Sequence, residues 1–370
     1  MSNEQKLQER WTRIEKAINL EKPDRTPVVL LYALFAAKIT NQPFPEFCKS
    51  IKKSAEAMLK AFDVCGDADG MDYLGFATYG LSFLWLSKVK VPSIDLPDDV
   101  SYQVAEAELM KKEDYDVILD KGWPEFFGNY LNTRVFNDVN PEYLPFTQPP
   151  FDAKTAADPL GIPILTAGLP IPSPFDMLCG ARSMPKFVHD MYSIPDKVQA
   201  VMDLMIEGLT KPALDISVAG GYKSVWVGGW RAASEMLSPA LWQRFVWPYY
   251  RRIVMEAIDA GLTPILHLDS DWTRDLEFFK ELPAKKTIFA PDGNTDIFKA
   301  KEILGDRFCI MGDVPPGMLS MSSPDKVHDY CTKLIREIGP EGFILHSGCD
   351  IPINAKLENV KAMIAAAHGQ

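Results

Sequence analysis

The run TPILHLD, residues 263–269, is the stretch that decides the fold. It is short, apolar and unalternating until its end, which is typical of a strand that is covered on both faces in a parallel sheet. Five further runs of this kind are IPILTAG (162–168), KSVWVGG (223–229), KTIFAPD (286–292), RFCIMGD (307–313) and GFILHSG (342–348). An earlier run, TPVVLLYALFAA from residue 26, also begins as a strand.

Helical segments separate these runs. Ser238-Pro239 and Ser323-Pro324 place serine as an N-cap and proline at the first helical position, and Pro248 predicts a kink in the first of these helices. Strand and helix alternate at least six times, which indicates a parallel sheet with crossover helices. The phosphate-binding GxGxxG and GxxxxGK[ST] turns of many open sheets are absent. The sequence therefore predicts an α/β fold, a single (β/α)8 TIM barrel.

The whole chain, residues 1–370, is expected to form one domain. Within residues 1–25, the spacing of Leu7, Trp11 and Ile14 predicts an N-terminal helix that extends the barrel. Residues 60–160 are dense in proline and aromatic residues, and we expect long ordered loops there that serve the function.

The composition excludes several classes of protein. The 370 residues carry 39 basic and 50 acidic side chains, a net charge of −11, which argues against nucleic acid as a partner. Six cysteines without a CxxC pair are too sparse for a disulfide scaffold. No run approaches the ~18 apolar residues of a membrane span, and no signal-peptide core is visible at the start. The expected location is the cytoplasm.

Candidate site residues follow the predicted strands, where the chemistry of a barrel lies. His267 and Asp269 are two apart on one strand and so face the same side. With Cys349 after the last strand they could bind zinc and leave one position open. In the alternative interpretation, His267 is a hydrogen-bonded pocket residue and Cys349 a small buried hydrophobe.

Three carboxylates are candidates for catalysis. Glu235 could be a further metal ligand or a general acid or base, or else a carboxylate that favours the N-terminus of the next helix. Asp292 and Asp313 could also act in catalysis, although both lie in turns where aspartate often bonds backbone amides. The candidates for substrate binding at the strand ends are Trp230, Arg231, Trp272 and His346.

The second half of the chain resembles the uroporphyrinogen decarboxylase superfamily, whose members are single (β/α)8 barrels. The matching runs are LSPALWQRFVWPYYRRIV (237–254), TPILHLDSDW (263–272), RFCIMGDVPPGML (307–319) and ILHSGCDIPINAKLENVKAM (344–363). The resemblance implies one of two activities, the decarboxylation of a tetrapyrrole without a cofactor or zinc-dependent methyl transfer involving a corrinoid protein.

Two segments favour the methyltransferase branch. In the decarboxylases of this superfamily, an arginine-rich segment follows the first strand. The corresponding stretch of this chain, LLYALFAAKITN (30–41), contains no arginine. The methyltransferases hold zinc with an HxC pair and a later cysteine, which His267 and Cys349 match. Asp269 stands where the first cysteine would be, so either Asp269 or Glu235 would complete the ligand set.

The resemblance therefore implies a corrinoid-protein-dependent methyltransferase of the O-demethylase type. It would move a methyl group from a small methylated substrate, for example an aryl methyl ether, to cob(I)alamin, with zinc as Lewis acid. The expected partner is a corrinoid-binding protein, and a homodimer is a further expectation. The alternatives are a metal-independent decarboxylase of a smaller carboxylate and a barrel that binds a corrinoid or tetrapyrrole without turnover.

Overall fold

The computed structural model describes residues 1–370 and shows short strands surrounded by helices. The strands are β1 (Val29–Leu30), β2 (Gly70–Met71), β3 (Lys88–Lys90), β4 (Gln103–Ala105), β5 (Ile171–Pro172), β6 (Ser224–Gly229), β7 (Thr263–Leu268), β8 (Ile288–Pro291), β9 (Cys309–Val314) and β10 (Phe343–Ser347). No helix is long and apolar enough to cross a membrane.

The α-helices alternate with these strands in the second half of the chain. They are α1 (Asn3–Ile18), α2 (Leu34–Ile39), α3 (Phe44–Lys49), α4 (Ile51–Cys65), α5 (Leu81–Trp85), α6 (Asp114–Lys121), α7 (Trp123–Tyr130), α8 (Ala153–Ala157), α9 (Pro174–Arg182), α10 (Met184–Ser193), α11 (Pro195–Leu209), α12 (Lys211–Ala219), α13 (Pro239–Phe245), α14 (Trp247–Asp259), α15 (Ile297–Leu304), α16 (Pro316–Met321), α17 (Pro324–Glu337) and α18 (Leu357–Ala367). The predicted kink at Pro248 is a break between α13 and α14.

Parallel pairing closes the strands into a ring. Strands β5 to β10 form one parallel sheet, and β1 pairs in parallel with β2. The bridge between Val28 and Leu345 joins β10 to β1, and the bridge between Met71 and Ile164 joins β2 to the segment that leads into β5. Counting that segment and β5 as one position, eight parallel strands surround the axis, and the predicted TIM barrel is confirmed.

One predicted strand is less regular than expected. The run IPILTAG meets β2 through the bridge at Ile164 and three backbone hydrogen bonds, and ladder pairing with β6 begins only at β5. Proline cannot donate to a ladder and glycine weakens a strand, so Pro163, Gly168 and Pro170 interrupt the pairing.

Helix α1 closes one end of the barrel. Its Trp11, Ile14 and Ala17 belong to the same small buried cluster as the inward residues of the strands, among them Ile265 and Ile344. The helix predicted within residues 1–25 is confirmed, and it ends at Ile18. Its apolar face covers the end of the barrel at which the strands begin.

An ion-pair network fastens α1 to the barrel. Asp69, directly before β2, is fully buried and accepts hydrogen bonds from Arg13 of α1 at 2.6 Å and from Arg25 at 2.6 and 3.0 Å. It also accepts from the backbone N–H of Val28 at 2.8 Å. Two buried or half-buried cations therefore share one buried carboxylate, and Arg13 also pairs with Asp24 and Glu9.

Residues 60–160 contain more regular structure than the expected loops. They include α5 to α8 and the antiparallel pair β3–β4. Trp85 of α5 packs against Trp230 with ring centroids 4.7 Å apart, and Glu106, after β4, accepts a hydrogen bond from Arg231 at 2.6 Å. This segment therefore lies against the carboxyl end of β6, which belongs to the end of the barrel that carries the candidate site.

Candidate metal centre

The end of β7 directs His267 into the barrel. Ile265 belongs to the small buried cluster inside the barrel, whereas Leu266 and Leu268 belong to the large buried cluster outside it. Because successive side chains of a strand point to opposite faces, His267 points inward as Ile265 does. His267 is 2% exposed, and Trp226 of β6 stacks on its ring with centroids 4.7 Å apart.

Backbone contacts fix the residues that follow the strands. The N–H of Asp269 donates to the carbonyl of Gly229 at 2.7 Å, and the indole N–H of Trp272 donates to the carbonyl of Asp269 at 2.8 Å. The N–H of Gly348 donates to the carbonyl of Val314 at 2.9 Å, which directs Cys349 towards the same point.

These contacts bring His267, Asp269 and Cys349 together. Their potential ligand atoms all lie within 4.8 Å of one another, and Nε2 of His267 is 3.3 Å from Oδ1 of Asp269. Zinc bonds of ~2.0–2.3 Å in tetrahedral geometry place ligand atoms about 3.5 Å apart. Oδ1 of Asp269 is buried without a hydrogen-bond partner, so a donor set of nitrogen, oxygen and sulfur converges on one point and fits zinc.

The cluster holds protons that a bound zinc ion would have to displace. Burial works to lower the pKa of His267, but the neighbouring Asp269 and Cys349 raise it well above its ordinary value. Burial raises the pKa of the Cys349 thiol, and the charge of Asp269 adds to this. Metal binding would release these protons, because zinc binds neutral imidazole and thiolate.

Gly348 is required by the close approach of another loop. A Cβ at this position would lie 2.5 Å from the carbonyl carbon of Asp292 and closer still to its oxygen. We expect Gly348→Ala to displace Cys349, to cost about 1–3 kcal/mol of stability and to weaken zinc binding ~10–100-fold.

Zinc titration and chemical denaturation measure these two effects. Gly208→Ala is the matched control, because a Cβ at Gly208 meets nothing within 4 Å. Unchanged zinc affinity in Gly348→Ala would show that the backbone contact does not position Cys349.

Glu235 lies outside the cluster. It is exposed, and its carboxylate accepts a hydrogen bond from the backbone N–H of Asp271 at 3.2 Å. The sequence left the third ligand open between Asp269 and Glu235, and the structure places Asp269 beside His267 and Cys349.

The other two candidate carboxylates are engaged elsewhere. Asp292 accepts hydrogen bonds from the backbone N–H groups of Ser270 and Asn294, each at 2.8 Å. This is the turn chemistry that was the alternative interpretation. Asp313 is 2% exposed and accepts from the hydroxyl of Tyr330 on α17 at 2.7 Å. These contacts hold both side chains in place, and the catalytic roles of Asp292 and Asp313 stay predictions.

Asp313 gives a prediction for the pH dependence of stability. Burial raises its pKa from 3.8 to about 7. The folded state then holds this proton more tightly than the unfolded state, so the associated stability is present below about pH 4 and is lost as pH rises through 7. We expect Asp313→Asn to abolish this loss of folding stability at high pH, which amounts to a few kcal/mol. The substitution should keep the hydrogen bond from Tyr330.

Denaturant unfolding at about pH 4.5, 6 and 8 measures this effect. The stability of Asp313→Asn relative to the native chain should increase from pH 4.5 to pH 8. Asp329→Asn, at an exposed position of α17 next to Tyr330, should show no such trend. A relative stability of Asp313→Asn that does not vary with pH would contradict the prediction.

The predicted substrate-binding residues separate into two groups. Trp272 is fully buried among Trp242, Tyr250 and Phe279, and its indole N–H holds the Asp269 carbonyl. Its role as a substrate contact stays a prediction. Trp230 and His346 lie at the carboxyl end of the barrel. Arg231 also lies there, and its guanidinium is bound to Glu106.

Trp230 folds back over a glycine. A Cβ at Gly228 would lie 2.7 Å from the Trp226 ring and closer still to the Trp230 ring, so the missing side chain makes room for both indoles. Gly228 is paired with His267 across the sheet. The indole nitrogen of Trp230 is buried without a hydrogen-bond partner, which leaves a donor for a bound molecule.

Sequence reasoning missed two buried carboxylates near the site. Asp176 accepts from the N–H of Arg231 at 2.8 Å and from the hydroxyl of Tyr250 at 2.8 Å, and so holds the loop after β6. The Ser173-Pro174 start signal of α9 could have drawn attention to it. Asp72, directly after β2, is fully buried and lies 3.3 Å from Nε2 of His346, and no local pattern marks it.

Comparison with known proteins identifies relatives of this chain. The family model described as "Uroporphyrinogen decarboxylase (URO-D)" matches residues 166–370, more than half of the chain. Proteins named uroporphyrinogen decarboxylase from Citrifermentans bemidjiense and Geobacter metallireducens are 24% and 22% identical over 204 residues. Each match covers 53% of this chain and 58% of the relative.

A solved structure is similar over nearly the whole chain. A methyltransferase from Methanosarcina mazei is 17% identical and superimposes with a TM-score of 0.68 over 97% of this chain and 98% of its own. At this identity the likeness shows a shared fold, and it includes residues 1–165, which the family model does not cover.

Proposed function

Because the chain belongs to the uroporphyrinogen decarboxylase family, we propose that it is a methyltransferase that works with a corrinoid-binding protein. It would move a methyl group from a small methylated substrate to cob(I)alamin. The observation that carries this proposal is the His267–Asp269–Cys349 cluster at the carboxyl end of the barrel. The Methanosarcina mazei protein with the same fold is named a methyltransferase, which supports the same class.

The residues of the cluster would hold zinc. Such an ion would supply Lewis acidity to the heteroatom that loses the methyl group. A ligand set with one thiolate leaves the ion a stronger Lewis acid than a set with two. Trp226 would keep His267 in place by stacking, and Trp272 would hold the backbone of Asp269.

The alternative decarboxylase has weak support in the structure. A polycarboxylate substrate needs several fixed cations, whereas β1 leads into α2, whose first four residues are buried and apolar. Arg231, after β6, is already bound to Glu106. These features disfavour a clamp for many carboxylates.

The direct test is metal analysis and methyl transfer with purified protein. We expect about one zinc per chain and methylation of cob(I)alamin, followed by its absorption spectrum, when methoxybenzenes and methylated amines are offered as donors. An aryl methyl ether is the donor that the sequence suggested. Protein without stoichiometric metal that transfers no methyl group would overturn the proposal, and metal-independent release of CO2 from a carboxylate would favour the decarboxylase.

A further inference from the structure

A tryptophan inside the barrel keeps part of its surface free beside the cluster. Strand β6 turns Trp226 and Gly228 to the interior, and Trp230 follows in the same alternation. Trp230 is only 7% exposed, because Trp85 packs against its ring. Trp226 packs against the small buried cluster inside the barrel but is itself only half-buried. The accessible aromatic surface of this strand therefore belongs to Trp226.

His267 is paired with two small residues in the barrel. Its neighbours on β6 and β8 are Gly228 and Ala290, although bulky branched side chains normally fill the interior layers of a TIM barrel. The ring of Trp226 takes up space over Gly228, where one of its atoms lies 2.7 Å from the position of a Cβ. The absence of a side chain at residue 228 thus allows Trp226 to lie against His267.

The indole of Trp226 extends beyond the imidazole on which it stacks. The two rings are within 24° of parallel and their centroids are 4.7 Å apart, which is an offset stack. Because the fused indole is larger than an imidazole, His267 covers only part of this face. A flat ring on the uncovered part would lie side by side with the imidazole, at the level of its Nε2. This nitrogen is 3.3 Å from Oδ1 of Asp269, so such a ring would adjoin the ligand atoms.

The cluster and Trp226 are open to the same side of the barrel. The side chain of Asp269 is 32% exposed, and Cys349 is half-buried, as Trp226 is. Helix α1 closes the opposite end, where the strands begin. A molecule that enters between the carboxyl ends of the strands therefore reaches Trp226 and the ligand atoms together.

A flat aromatic ring matches this arrangement. An aryl ring on an indole buries apolar surface and adds the attraction of an aromatic pair, and the oxygen of an aryl ether lies in the plane of its ring. We infer that the methyl donor carries its methyl group on an oxygen attached to an aromatic ring, and that Trp226 is the surface that selects this ring. A donor without a ring, such as methanol or trimethylamine, leaves Trp226 uncovered. This inference rests on the proposed function and names its substrate class.

The transfer step balances for an aryl methyl ether. The bond between the methyl carbon and the ether oxygen breaks, and its electron pair stays on the oxygen, which leaves as a phenolate. The carbon takes the electron pair that cob(I)alamin supplies. A phenol has a pKa of about 10, far below that of water, so a phenolate leaves more readily than the alkoxide of an aliphatic ether. Trp226 acts on binding and orientation of the ring rather than on the bond that breaks.

Matched ligands test the inference. Methoxybenzene and methoxycyclohexane carry the same methoxy group on rings of similar size, and binding of each to the zinc-loaded protein is measured by calorimetry. We expect methoxybenzene to bind about 3–10-fold more tightly. The saturated ether is the more apolar molecule and has the more basic oxygen, so only recognition of the flat ring gives this preference.

Variants of Trp226 test which residue recognises the ring. Trp226→Leu should remove the preference for methoxybenzene, and Trp226→Phe should keep most of it, both with unchanged zinc content. Tyr192→Leu, at a side chain that is 68% exposed on α10, is the control and should change neither affinity. A preference that persists in zinc-loaded Trp226→Leu would overturn the role of Trp226.

Kinetics with methoxybenzene as donor give a second readout. Trp226→Leu should raise KM about 3–10-fold and alter kcat less. Equal binding of the two ethers by the native protein would overturn the inference, and this comparison does not depend on whether a variant folds. Transfer from methylated amines without a preference for methoxybenzene would overturn the inference and leave the proposed function standing. A preference that Trp226→Leu removes, without transfer from any donor, would support the aromatic site and remove the proposed function.

Discussion

Replacing a residue of the cluster is expected to abolish stoichiometric zinc and to lower methyl transfer roughly 100-fold or more. In His267→Ala the nitrogen ligand is lost from a site that is 2% exposed, and in Cys349→Ser a weaker oxygen ligand replaces the thiolate. Zinc per chain and the rate of cob(I)alamin methylation measure both effects. We expect that excess zinc restores neither the zinc content nor the methylation rate, because the ligand itself is missing.

Two control variants test whether the loss of zinc and activity is specific to the cluster. His189→Ala removes an exposed histidine and should keep full metal content and activity. Glu235→Gln tests the other ligand that the sequence allowed, and we expect unchanged zinc because Glu235 is exposed and bonded to a backbone amide. Stoichiometric zinc and full activity in His267→Ala would mean that the cluster is not the working metal site.

Asp69→Asn is expected to lower the free energy of unfolding by about 3–5 kcal/mol. The substitution leaves Arg13, which is 4% exposed, with less of its counter-charge and turns an amide donor towards two guanidinium groups. Because Arg13 lies on α1, the loss should also loosen the helix that closes the barrel. Denaturant unfolding measures the change in stability.

A nearby carboxylate provides the matched control. Asp67 pairs with Arg10 at 2.7 Å, but its side chain is 68% exposed, and such surface pairs contribute about 0–1 kcal/mol. Asp67→Asn should therefore have little effect. A loss below about 1 kcal/mol in Asp69→Asn would show that water or local rearrangement compensates for the buried charge.

Local sequence patterns were sufficient for the architecture. The unalternating runs at β6 to β10 and the Ser-Pro starts of α13 and α17 depend on periodicity and backbone preference over a few residues. The irregular strand at Ile164 was less predictable, because the apolar run favours a strand there whereas the prolines disfavour regular strand pairing. In residues 60–160 the helices α6 and α7 are short and aromatic, and their packing against other elements stabilises them more than their own pattern does.

The sequence by itself determined the barrel and the shared inward face of His267 and Asp269, because a strand has a period of two wherever it is placed. Only the tertiary structure decided what meets that face. Cys349 arrives from the last strand because Gly348 fits against Asp292, whereas Glu235 and Trp272 point elsewhere although they are closer in sequence. Asp72 comes from the second strand. The direction of a side chain beyond the end of a strand is set by contacts between distant loops, which no local pattern encodes.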